Sequence, residues 1–273
     1  MKTYKNFKRI GCLFLGAVSL LLTEVQAASF EVAVAPSRFE LTGSSAERIG
    51  QSIDIHNIGR LATSVNVRTL DWTYSAEGDI SYHEELLPGS CRPWVTIERN
   101  NVQIAPDSKK TFRFQISIPP NQQRQECRFM LAVEGSEPAH RSAIRGGGAN
   151  LSMPVTGRIA VAVYIALNGA EPKMQMRQVS VKNIKGKRTP VLTVTNHGDA
   201  HGRLDGGLEV VDSRGVEFEL VPEGTPVMPG QTRIMPLIAR AVNGQNADMV
   251  YPVKGSGQID WEKGSFKMKA EFK

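Results

Sequence analysis

Cysteine is scarce, with three in 273 residues. That excludes a small scaffold stapled by several disulfides. The apolar run at residues 10–22 is 13 long, short of the roughly 20 residues a helix needs to cross a bilayer. Lysine and arginine are scattered, with no basic run of the kind that tracks a phosphate backbone, so nucleic acid is not an expected partner. Aromatic residues are only 7% of the chain. Beyond residue 28 no long stretch repeats apolar residues at the helical period. HExxH, GxSxG and the phosphate-binding GxxxxGK[ST] are absent too, which removes the commonest hydrolase, metalloprotease and nucleotide-binding signatures. What remains is ordinary globular composition, 41% hydrophobic and 22% charged with 25 glycines and 15 prolines. Its length suits about two domains.

Residues 1–27 have the three-part layout of a secretory signal. Lys2, Lys5, Lys8 and Arg9 are followed by the apolar run, and Val25-Gln26-Ala27 puts small residues at a cleavage position. A cleaved signal rather than an integral membrane anchor is expected. Four basic residues and one acidic residue leave with it, so 29 basic and 26 acidic residues remain, net +3 against +6 for the whole chain. Cys12 leaves as well. Cys91 and Cys127 are then the remaining pair, and in an oxidising compartment two cysteines most simply form one disulfide. Closing a loop of about 35 residues is worth on the order of 3–4 kcal/mol. The alternative is two unpaired buried thiols. The pair has too few ligands for a zinc site.

The rest of the chain reads as short alternating or β-branched runs between Gly, Pro, Asn and Asp. Candidate strands are 30–35, 52–56, 63–74, 94–98, 110–118, 127–134, 151–155 and 157–165, then 174–182, 190–196, 207–212, 216–220, 231–239, 248–255 and 266–272. About seven strands per hundred-odd residues is the pattern of a β-sandwich. The Gly- and Pro-containing stretch 166–172 interrupts it. The expectation is an all-β chain of two immunoglobulin-like sandwiches, one over 28–166 and one over 167–273. Between the strands ending at 134 and starting at 157 the connection is long, and such connections are usually functional or disordered. The tract Arg145-Gly146-Gly147-Gly148 reads as flexible, and Leu151, Met153 and Val155 after it alternate at the period of one strand face. They either cap the domain's own core or face a partner.

The order of segments resembles the PapD-like periplasmic chaperones that assemble pili by the chaperone–usher pathway. VAVAPSRFEL and IDIHN come first, then RPWVTIERNNVQIAPDSKKTFRFQI, RQECRFMLAVEG, the long connection, GRIAVAVYI, LTVTNHGDAHGRL and VMPGQTR. The resemblance implies two sandwiches in a boomerang arrangement. It implies a periplasmic chaperone that stabilises pilus or fimbrial subunits by donor-strand complementation and passes them to an outer-membrane usher, without cofactor or metal. Arg38 and Arg158 then correspond to the two basic residues that grip a subunit's terminal carboxylate, and Leu151, Met153 and Val155 to donor-strand positions. Arg158 stands where the family usually has lysine, Pro154 interrupts the donor segment, and the usual aromatic-Arg-Pro ending is replaced by Val163-Tyr164-Ile165-Ala166. These departures mark a divergent branch.

An exported two-domain adhesion or pilus structural protein would use the same sandwiches, but a pilus subunit is expected to carry an N-terminal donor extension and one incomplete sandwich. Catalysis is not expected, since no Ser/His/Asp order marks a triad. His197 and His201 have the i, i+4 spacing of helical metal ligands, but the glycines around them favour a turn.

Overall fold

A computed structural model describes the backbone of residues 30–136, 140–146, 149–155, 157–242 and 248–273, and the side chains of the same residues except 140–155 and 241. The signal-like segment lies outside the described residues. Among those described, no helix is long and apolar enough to cross a membrane.

The strands are, in order, β1 (Val32–Ala35), β2 (Arg38–Gly43), β3 (Arg48–Asn57), β4 (Thr63–Tyr74), β5 (Ile80–His83), β6 (Val95–Ile97), β7 (Asn101–Ile104), β8 (Ser108–Ser117), β9 (Gln125–Gly135), β10 (His140–Gly146), β11 (Ala149–Val155) and β12 (Arg158–Leu167). A second set comprises β13 (Met174–Ile184), β14 (Lys187–Asn196), β15 (Asp205–Val211), β16 (Glu217–Pro222), β17 (Thr232–Ala241), β18 (Val253–Trp261) and β19 (Gly264–Phe272). The chain is all-β, built as two sandwiches.

In the first sandwich one sheet runs β1-β3-β8-β6 and the other β2-β12-β9-β4-β5, with β7 also on β4. Side chains alternate across a strand, so every second residue reaches the space between the sheets. Ile53 and Ile55 of β3 and Phe112, Phe114 and Ile116 of β8 meet Phe129, Leu131 and Val133 of β9 and Val161, Val163 and Ile165 of β12. Full burial of such a side chain is worth about 1.5–3 kcal/mol. In the second sandwich the order is β13-β14-β17-β16-β15-β18-β19. β17 pairs with β14 through Thr232–Pro236 and with β16 through Leu237–Ala241, so it passes from one layer to the other. The layers close on Leu192, Val194, Leu208, Phe218, Met235 and Phe272.

Several strand expectations differ from the structure, and β5 and β7 have no counterpart among the expected strands. The run VAVAPSRFEL reads as one strand but is two. Proline offers no ladder N–H, and around Pro36 the chain leaves β3 and joins β12 in the opposite sheet. Arg38 therefore opens a second strand. Part of the long connection is a hairpin, in which β10 and β11 pair antiparallel from His140–Val155 to Gly146–Ala149. Residues 147 and 148 of the glycine tract lie outside the described residues. The strand expected over 248–255 instead runs Val253–Trp261, starting five residues later and ending six residues later. Its glycines serve close packing: a Cβ on Gly255 or Gly257 would run into the carbonyl oxygens of Glu209 and Gly207.

Cys91, just before the short 3-10 turn Arg92–Trp94, is disulfide-bonded to Cys127 of β9, at a sequence separation of 36. Mass spectrometry without reductant should return a linked Cys91–Cys127 peptide. Replacing both by serine should lower stability by about 3–4 kcal/mol, following the loop-closure relation. Free thiols at both positions, or unchanged stability of the double variant, would contradict this.

Candidate functional site

β12 is paired unevenly. Its ladder with β9 runs the full length, Arg158 opposite Glu134 through Leu167 opposite Gln125. Its parallel ladder with β2 starts only at Ala162 opposite Arg38. The β1–β2 switch is the cause, since the chain reaches this sheet only at Arg38. Among the described residues, Arg158 to Val161 therefore have strand pairing on one side only. Such a row of unanswered N–H and C=O groups is a template for another strand. β11 leads into this edge after residue 156 and Gly157. Phe30 lies against Gly157, where a Cβ would overlap its ring. Leu151, Met153 and Val155 have their backbone in β11, paired with Ile144, Ser142 and His140; their side chains lie outside the described residues.

The face of β12 turned away from the core carries Arg158, Ala160, Ala162 and Tyr164. With Leu70 and Trp72 of β4 and Met130 and Ala132 of β9 it forms a second apolar layer, closed by Met228 of the second sandwich. Arg38 and Arg158 project from this same face, yet the register sets them four positions apart, about 13 Å of strand. Each has its own carboxylate. Arg38 Nε donates to Glu40 Oε1 at 2.7 Å, and Arg158 Nε donates to Glu134 Oε1 at 2.5 Å. Glu134 also accepts from Arg68 Nε at 2.8 Å, and Arg68 pairs with Glu84. The Arg158 guanidinium lies 5.9 Å from the centre of the Tyr82 ring.

The sandwiches are joined by polar contacts across this face. His201 is buried and stacks on Tyr164, ring centres 3.8 Å apart. Its Nδ1 donates to Glu126 Oε2 at 2.5 Å, and its backbone N–H donates to the same oxygen at 2.9 Å. Its Nε2 is 3.8 Å from Glu40 Oε1. Arg203 Nε donates to that Glu40 oxygen at 3.2 Å, and Arg124 Nε donates to Asp199 at 2.6 Å. A second clasp is the turn after β4. Gln231 Nε2 donates to the carbonyls of Tyr74 and Ser75, each at 3.1 Å, and the Ile234 N–H donates to that of Ala76 at 3.3 Å. Fully buried Arg233 lies under Gly78, where φ is +97° and a Cβ would overlap the guanidinium.

Burial disfavours the charged His201 ring, but its attraction to Glu126 and Glu40 outweighs that and raises its pKa above the ordinary 6.5. Glu40 is held down to about 2, chiefly by His201 and also by Arg38, against its own desolvation. His197, by contrast, meets Gln175 Oε1 and Arg177 Nη2, each at 3.0 Å. Sequence reading missed Glu40, Glu126, His201, Arg203, Arg68 and Glu134 as parts of a site. Polar residues at period two read as a solvated strand face, and nothing local reveals that a second sandwich covers it.

The His201 contribution should be complete below pH 6.5 and disappear as pH rises through the raised value. The Glu40 contribution should be complete above pH 4.5 and disappear as pH falls towards 2. Thermal unfolding followed from pH 5 to 9 should show wild type losing stability on the alkaline side, with the loss removed in His201→Gln. An alkaline decline of equal size in the variant would exclude His201 as its source.

No family model matches the chain, and no curated protein does. Among solved structures it is similar to the YadV chaperone, at 12% identity and TM-score 0.47, covering 88% of this chain and 99% of the other. It is also similar to the CupB2 chaperone of Pseudomonas aeruginosa, at 10% identity and TM-score 0.45, covering 88% and 100%. A third similarity is to the Salmonella enterica SafA pilin in complex with the SafB chaperone, at 9% identity and TM-score 0.46, covering 90% and 98%.

Proposed function

We propose that this chain is a periplasmic chaperone of the PapD-like kind, which binds pilus or fimbrial subunits by strand addition and delivers them to an outer-membrane usher. The observation that carries this reading is the one-sided pairing of β12 over Arg158–Val161, continuous in sequence with β11. A subunit that lacks a strand exposes an apolar groove and unpaired backbone groups, an aggregation hazard that an added strand relieves. In this reading Leu151, Met153 and Val155 enter that groove, each worth about 1.5–3 kcal/mol on transfer before binding costs. Arg38 and Arg158, on the same sheet face as Tyr164, receive the subunit's carboxylate. A guanidinium can bind a carboxylate through two parallel hydrogen bonds, so arginine serves at position 158 where the family usually has lysine.

The working division is 28–166 for the strand-donating domain and 167–273 for the second, with residues 1–27 removed on export. The signal-like layout and a single cysteine pair suited to an oxidising compartment support a periplasmic location. Strand addition supplies its own binding energy, so the reaction needs no nucleotide or metal.

Co-expression with the secreted proteins encoded beside it should yield a soluble one-to-one complex. Recovery of the chain only as a free monomer, or built into fibres, would overturn the proposal. Replacing Arg38 and Arg158 together by alanine should lower subunit capture at least tenfold while the far-ultraviolet spectrum and melting cooperativity stay those of wild type. Undiminished capture would remove both residues from the site. Replacing Leu151 and Met153 by glutamate should also abolish capture, since a charge cannot enter an apolar groove without a partner.

A further inference from the structure

Two arginines and a histidine converge on one oxygen atom at the junction of the sandwiches. Glu40 Oε1 accepts from Arg38 Nε at 2.7 Å and from Arg203 Nε at 3.2 Å, and His201 Nε2 stands 3.8 Å away. Two of the three come from the second sandwich. His201 is buried, and its Nε2 has no hydrogen-bond partner, so a buried ring nitrogen is left facing this carboxylate unsatisfied. Such an atom costs free energy unless something completes it. Glu40 itself is more than one-third exposed, and Arg38 is half exposed. Arg203 is held from behind, its Nη1 donating to the Gly224 carbonyl at 2.6 Å and its guanidinium 5.7 Å from the centre of the Tyr164 ring.

We propose that this junction is a carboxylate-binding site in which Arg203 acts beside Arg38, and that Glu40 is its internal occupant, exchanged for the terminal carboxylate of a bound subunit. The proposal rests on the chaperone reading above and names a residue of the second sandwich as part of the anchor. Exchange follows from charge. Glu126 bonds Nδ1 of the His201 ring whose Nε2 faces Glu40, and a third carboxylate added beside these two would meet like charge at short range. Glu40 can turn out to water, because its side chain is exposed, and leave the cations to the newcomer. A client anchored this way touches both sandwiches at once, so capture depends on the angle that Glu126–His201 and Arg124–Asp199 hold between them.

The test uses the mature chain and one short hydrophobic peptide in two forms, a free C-terminal acid and the C-terminal amide, with binding followed by calorimetry. Wild type should prefer the acid. Glu40→Gln should tighten acid binding several-fold, since the internal competitor loses its charge. Arg203→Gln should weaken acid binding at least tenfold, the usual size for a lost charge-assisted hydrogen bond, and leave amide binding unchanged. Arg203→Lys should restore part of the preference for the acid. If Glu40→Gln leaves the acid-to-amide ratio unchanged, or Arg203→Gln weakens both forms alike, the proposal is overturned. Capture of a co-expressed subunit by Arg203→Gln at the wild-type level would overturn it while leaving the chaperone reading intact; absence of any subunit complex with wild type would remove both.

Discussion

A β-strand carries two rows of backbone hydrogen-bonding groups, and each row has to be met by another strand, a side chain or water. In this molecule β12 meets that requirement on one side along its whole length and on the other for only part of it. The shortfall traces to Pro36, around which the first run of the sequence leaves one sheet and enters the other. Had the chain crossed earlier, β2 would have covered Arg158–Val161 and the edge would be closed. Everything proposed about strand donation follows from that vacancy beside β12 and from its continuity with β11.

The second constraint is the charged face of the same sheet. Glu126 is buried, and a buried carboxylate is costly unless paired. Its partner His201 belongs to the other sandwich, so the two units cannot separate without leaving an ion uncompensated. The same holds for Arg203 and Glu40 at a more exposed position. Apolar contact between the sandwiches is modest, centred on Met228 against Trp72 and Tyr164. Orientation is thus carried by directional polar contacts, which specify geometry more sharply than an apolar patch does. The turn after β4 adds a third point of attachment through Gln231 and Arg233. A junction held at several separated points is suited to presenting a strand edge and an anchoring cation in one frame.

Much of the architecture was readable along the chain. The alternation of Phe112, Phe114 and Ile116, and of Val161, Val163 and Ile165, marks strands with one buried face. The break after Leu167 is visible as Asn-Gly-Ala-Glu-Pro. The errors have local causes. Gly257 looks like a residue past the end of the 248–255 strand but sits inside Val253–Trp261, whose neighbour leaves no room for a side chain. In the long connection the strand at 151–155 was legible, but its hairpin partner His140–Gly146 was not, because His, Arg, Ser and Gly leave it no apolar alternation. Arg38 and Arg158 are visible as basic residues on two strands, but their separation is not, since it follows from the parallel β2–β12 ladder that sets Arg38 beside Ala162.

Strand content and the pairing of Cys91 with Cys127 are properties of residue type and order, and they were legible from the sequence alone. Local alternation needs no partner to be seen. The open edge of β12, the four-residue offset between the two arginines and the cluster of cations on Glu40 were decided only by tertiary structure. Each depends on which strand lies beside which and on what covers the outer face. Those relations join residues more than a hundred positions apart, such as Glu40 and Arg203, and no local pattern encodes them.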